Sequence, residues 1–180
     1  MKVIFLTGEA GVGKTTIVVR LCDHFSSGIE VQGITTREVR DGGARVGFRI
    51  MDVATREEGW LARKDRSQGA RVGSYRVVEE DLERIGVAAL DRAIDGSARI
   101  VVVDEIGPME MTSLKFRQAV ARLFDSDRPI IATVKQGSRY PEIERVRSRG
   151  MELEITRVNR EECYEKLVAQ VEEWMRSLSG

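Results

Sequence analysis

Gly8, Gly13, Lys14 and Thr15 stand in the spacing G-x-x-x-x-G-K-[ST], inside the run TGEAGVGKTT at residues 7–16. Glycines in such a turn let successive backbone N–H groups converge on phosphate oxygens at the start of a helix. Lys14 would add a full positive charge at the β- and γ-phosphates, and the Thr15 hydroxyl an oxygen for Mg²⁺, which favours octahedral oxygen ligands. Glu9, Ala10, Gly11 and Val12 complete the cradle, and Thr16 is expected at the α-phosphate. Glu9 should point outward, since an acid facing the phosphates would repel them.

A phosphate cradle of this type needs an acid at the end of a neighbouring buried strand to hold the Mg²⁺ shell. The run IVVVDE supplies Asp104 for that role. Glu105, directly after it, is placed to orient or deprotonate an attacking water, as a hydrolase requires. The two catalytic candidates are therefore Lys14 and Glu105, and the metal candidates Thr15 and Asp104.

These groups need a rigid frame, and the chain between them reads as one. KVIFLTG is a short continuous apolar run that stops at Gly8, the pattern of a strand buried on both faces. Ile17, Val18, Leu21, Cys22 and Phe25 then recur at helical spacing. IEVQGITT reads as a second strand. Segment 44–78 mixes apolar and polar residues between glycine-rich breaks and holds no crossover helix, so it is expected to be an antiparallel β excursion. From Glu79 the period changes to 3.6. ARIVVVDEIG and RPIIATV are further buried strands, with a helix carrying Leu114, Phe116, Val120, Leu123 and Phe124 between them. A short helix over 142–149, an edge strand at MELEIT and a closing helix bearing Trp174 and Met175 complete the chain.

Composition bounds the function. At 180 residues and 42% hydrophobic content, one domain over 1–180 is expected. Lys plus Arg and Asp plus Glu both total 29, which gives no global basic field for nucleic acid. Cys22 and Cys163 lack metal-ligand spacing and read as small core residues in a reducing compartment. The apolar run before Thr7 is too short for a signal-peptide core and no later run approaches a membrane span, so the expected location is cytoplasmic.

The ordered set TGEAGVGKTT, REVRDGGARVGFRI, VGSYRVVEEDLE, VVVDEIGPMEM followed by FRQAV, and the late NRE resembles the small P-loop nucleoside-triphosphatases first described from thermophiles, a family with a human cancer-related relative. The resemblance covers nearly the whole chain. It implies a RecA-like α/β three-layer sandwich with a mainly parallel central sheet, and slow Mg²⁺-dependent hydrolysis of ATP, GTP, CTP and UTP to diphosphate and phosphate. A monomer is expected. The resemblance also suggests Asn159 and Arg160 flanking the base, with Arg160 stacking on it; Asn159 reads equally well as the N-cap of the last helix. Ala10 stands where family loops often carry proline, and the segment TVKQGSRYPEI lacks a histidine that relatives often have, leaving Arg139 or Lys135 for any polar role there.

Several assignments stay open at this level. Glu38 and Arg40 in TTREVR read either as γ-phosphate sensors or as a solvated turn. Arg37, Arg40, Arg71, Arg139 and Arg160 all qualify as the cation that faces the γ-phosphate. His24 reads as a surface residue. A nucleotide or nucleoside kinase, with ARKDRSQGAR as its lid, and a nucleotide-switched RNA-binding module are the competing functions.

Overall fold

A computed structural model describes residues 1–178; Ser179 and Gly180 of the expected 1–180 domain lie outside the described residues. β1 (Val3–Thr7) is buried along its whole length, and alternate side chains face opposite layers. Phe5 packs in one core, edge-on to Phe124 at 5.8 Å, while Ile4 and Leu6 pack in the other. A strand covered on both faces must be apolar at every position, which is why KVIFLT shows no alternation. Truncating Phe5 to Ala would cost roughly 3–5 kcal/mol.

Nine strands form one sheet. The parallel part runs β2 (Val31–Asp41), β7 (Ile100–Ile106), β8 (Ile130–Val134), β1 and, at the edge, β9 (Met151–Glu154). On the far side of β2 lies an antiparallel wing of β3 (Ala44–Asp52), β4 (Glu58–Arg63), β6 (Tyr75–Val77) and β5 (Arg71–Val72). α1 (Lys14–Phe25) and α6 (Arg160–Leu178) cover one face. The other is covered by α2 (Glu79–Asp81), which runs through a π-helical turn (Leu82–Val87) into α3 (Ala88–Asp95), and by α4 (Leu114–Asp125) and α5 (Pro141–Arg147). This is the three-layer α/β sandwich with an antiparallel excursion that the sequence implied.

Three local readings change. β2 does not end with IEVQGITT at Thr36: it continues to Asp41, so Glu38 and Arg40 lie on a strand and not on a turn. Gly42 and Gly43, with φ of 54° and 81°, make the two-residue reversal that lets Asp41 pair with Ala44, and this hairpin carries β2 past the end of the parallel sheet. The helical period after Glu79 is interrupted by the π-helical turn, where Gly86 lies against Ile50 and Phe116. Leu114 is 64% exposed and takes no part in the apolar face of α4, because it is the first helical residue after the Ser113 cap. Trp174 and Met175 do belong to the core beneath α6. Among the described residues no helix is long and apolar enough to cross a membrane.

Candidate active site

The loop between β1 and α1 is shaped by backbone conformations that other residues rarely adopt. Gly8 has φ of 140°, and a Cβ there would stand 2.4 Å from the carbonyl oxygen of Ile155. Gly13 has φ of 107° and lies against the Arg160 side chain, whose Cδ would be 3.1 Å from a Cβ. No side chain caps α1 and no acid sits in its first turn, so its leading N–H groups face the loop mouth. Glu9, Ala10 and Gly11 are exposed and Val12 is buried beneath them. Glu9 is exposed, as an outward position requires.

Lys14 is 7% exposed and reaches back over the loop, its Nζ donating to the carbonyls of Gly8 at 2.9 Å and Glu9 at 3.0 Å. Those neutral acceptors hold the ammonium where phosphate oxygens would meet it. Its charge also bears on Asp104 and Glu105, favouring the ionised form of each.

Asp104 is 1% exposed on β7. Its Oδ1 accepts from the Thr133 hydroxyl at 2.6 Å, while its Oδ2 is buried without a donor. Burial pushes its pKa up; the Thr133 hydrogen bond, and after it the nearby Thr15 hydroxyl and Thr36 N–H, oppose that rise. A buried carboxylate oxygen without a donor is expensive unless a cation completes it. With the Thr15 hydroxyl beside it, this set of hard oxygen donors fits Mg²⁺.

Glu105 follows across a cis peptide bond, where the β7–β8 register shifts between Val103 and Ile106. It is half-buried. Burial, then the neighbouring Asp104 charge, raises its pKa, and Lys14 and Lys135 oppose that rise. Lys135, in the loop after β8, thus bears on Glu105, while Thr133, at the start of the same segment TVKQGSRYPEI, holds Asp104.

Beside the loop, a cavity of about 360 Å³ opens between the start of α1, where Gly13, Thr16 and Arg20 line it, and the approach to α6, where Arg157, Val158 and Arg160 do. Val158 is 95% exposed, and Arg20 is fixed by stacking over Tyr164 at 3.8 Å and by bonding Glu161 at 2.8 and 3.0 Å. Asn159 does not line this cavity. Its amide is engaged within its own loop, accepting from Thr156 N–H at 2.7 Å and donating to the Glu154 carbonyl at 2.9 Å.

The structure therefore brings together Gly8 to Thr16, Asp104, Glu105 and Arg160. Among the other arginines, Arg37 pairs with Glu58 at 3.0 Å, Arg40 with Glu38, and Arg71 donates to the Gly73 carbonyl at 3.0 Å. His24 is exposed and meets the Tyr164 hydroxyl at 3.1 Å. Cys163 is buried; Cys22 is half-buried, its thiol pushed up to about 12 mainly by burial, so neither reads as reactive. Sequence reasoning missed Thr133, although a lone hydroxyl in the apolar run IIATV was a visible signal. It also missed Arg157, Val158 and the buried Glu110, which nothing in the spacing marks.

The profile of a family described as NTPase matches residues 3–168. The chain is 48% identical over 136 residues to a nucleoside-triphosphatase THEP1 of Thermofilum pendens, covering 75% of this chain and 74% of that protein. It is 40% identical over 166 residues to its namesake in Methanosarcina acetivorans, covering 91% and 93%. The crystal structure of THEP1 from the hyperthermophile Aquifex aeolicus superposes with a TM-score of 0.84 at 31% identity, over 94% of this chain and 99% of that one. The solution structure of a human cancer-related nucleoside triphosphatase gives 0.81 at 32%, over 96% and 98%. With the family profile matching residues 3–168 and relatives of about 40% identity covering most of its length, the chain belongs to the NTPase family of P-loop nucleoside-triphosphatases.

Proposed function

We propose that this nucleoside-triphosphatase works as a Mg²⁺-dependent phosphohydrolase, converting NTP and water to NDP and phosphate, with Glu105 taking the proton of the attacking water. One observation carries the reading: a buried carboxylate oxygen of Asp104 without a donor stands beside Thr15, with Glu105 as the next residue. The loop N–H groups and Lys14 hold the β- and γ-phosphates and stabilise charge that builds on them during transfer. Thr15 and Asp104 would hold Mg²⁺, which would supply positive charge to offset that of the phosphates. Glu105 orients the water in line with the γ-phosphate, and a carboxylate whose basicity is raised by burial accepts its proton more readily. Arg160 lies along the loop at Gly13 and flanks the base.

The cavity offers guanidinium groups and an exposed valine, surfaces that stack on any base. Broad tolerance among ATP, GTP, CTP and UTP follows. The free cysteines suit the cytoplasm. A phosphate-release assay over the four triphosphates tests this. Turnover should agree within about ten-fold across bases and disappear on chelation of Mg²⁺. Hydrolysis confined to one base, turnover that survives chelation, or ADP release that depends on an added nucleoside or monophosphate would overturn it.

A further inference from the structure

Glu110 is a buried carboxyl with no part in the chemistry so far. It lies in the 3-10 turn Glu110–Thr112 just after β7 and is 2% exposed. Burial pushes its pKa well above the ordinary glutamate value; its own N–H and that of Gly107 oppose the rise, while the charges that reach it, Glu105 and Asp104, share its sign and add to it. A carboxyl in those surroundings keeps its proton and becomes a hydrogen-bond donor. Tyr140, before α5, closes the same region, its phenol raised by burial and by Glu110.

Gly107 supplies the geometry. Its φ lies outside the left-handed region, so its backbone does not demand glycine. Space does. A Cβ at 107 would stand 2.5 Å from Glu105 Oε1 and 2.9 Å from Glu110 Oε2. Both carboxyl groups border the space that the missing side chain leaves.

We propose that Glu110 is a positioning residue for hydrolysis: its carboxylic acid donates a hydrogen bond to Glu105 across Gly107 and fixes the orientation of the carboxylate that receives the proton of the attacking water. The inference rests on the assignment of Glu105 as that base. It differs from a purely structural role, in which Glu110 fills space or closes the turn, because its effect must pass through Glu105.

The test compares Glu110→Gln, which keeps the shape and an N–H donor, with Glu110→Met, which keeps the bulk and loses the donor, each alone and combined with Glu105→Gln. Thermal midpoints, nucleotide affinity and single-turnover hydrolysis of Mg²⁺-ATP are measured on the full chain. Glu110→Met should lose roughly ten-fold to a hundred-fold in kcat with KM within about two-fold. Glu110→Gln should stay within about three-fold of the parent. In the Glu105→Gln background, Glu110→Met should cost no more than about two-fold further. Equal activity of Glu110→Met and the parent would overturn the inference, as would Glu110→Gln falling as far as Glu110→Met, or the full loss persisting on top of Glu105→Gln. Should Glu110→Met fail to fold, Glu110→Ala replaces it with the same outcomes. Full turnover by Glu105→Gln alone would remove the base assignment itself, whereas its collapse beside a silent Glu110→Met would remove only the role of Glu110.

Discussion

The antiparallel wing and the parallel half of the sheet treat charge in opposite ways. In the wing, exposed or half-exposed charges are matched: Arg37 with Glu58, Arg40 and Arg45 with Glu38, Arg63 with Asp65, and Arg66 with Glu80. Arg49 and Arg63 stack over Trp60 at 4.1 and 4.7 Å. At the ends of β1 and β7, Lys14 and Asp104 are buried and Glu105 is half-buried, and none of the three is in an ion pair among the described residues. Matched surface charges hold a fold at little gain, about 0–1 kcal/mol each. Buried charges without partners lower stability, and they persist where a ligand supplies the missing partner. The contrast separates the half of the molecule that is built to bind from the half that is built to stay folded.

Substitutions in the two halves should differ accordingly. Lys14→Ala removes the buried ammonium and should lower kcat/KM for ATP by roughly a thousand-fold in a phosphate-release assay. Little change would place the phosphates elsewhere. Thr133→Val takes away the hydroxyl that holds Asp104 Oδ1. The Mg²⁺ concentration needed for half-maximal turnover should rise about ten-fold to a hundred-fold, as for other residues that orient a ligand. Arg160→Ala should raise KM by a few-fold, equally for the four triphosphates, with kcat unchanged; a change confined to one base would show that Arg160 reads the base by hydrogen bonds. In the wing, Arg66→Ala breaks the pair with Glu80. Stability measured by urea unfolding should shift by less than about 1 kcal/mol, with hydrolysis unaffected.

The parallel half was legible from sequence because its physics is local. A strand buried on both faces must be continuously apolar, and a phosphate loop must place its glycines and lysine at fixed spacing, so KVIFLTG, TGEAGVGKTT and IVVVDE declare themselves. The end of β2 was not legible, since its length depends on pairing with β3 across the turn at Gly42 and Gly43. Nor was the place of Asn159, whose amide serves its own loop. Glu110 was invisible for a related reason: an acid two residues after a proline looks solvated until the fold closes β7, α4 and α5 around it.

The central claim is that water is the acceptor and that Glu105 receives its proton. Single-turnover hydrolysis of Mg²⁺-ATP by Glu105→Gln, with nucleotide affinity measured on the same protein, tests it most directly. Hydrolysis should fall by roughly a hundred-fold to ten-thousand-fold while affinity stays within about three-fold of the parent. Hydrolysis at the parent rate, or a loss of binding that accounts for the whole effect, would contradict the assignment.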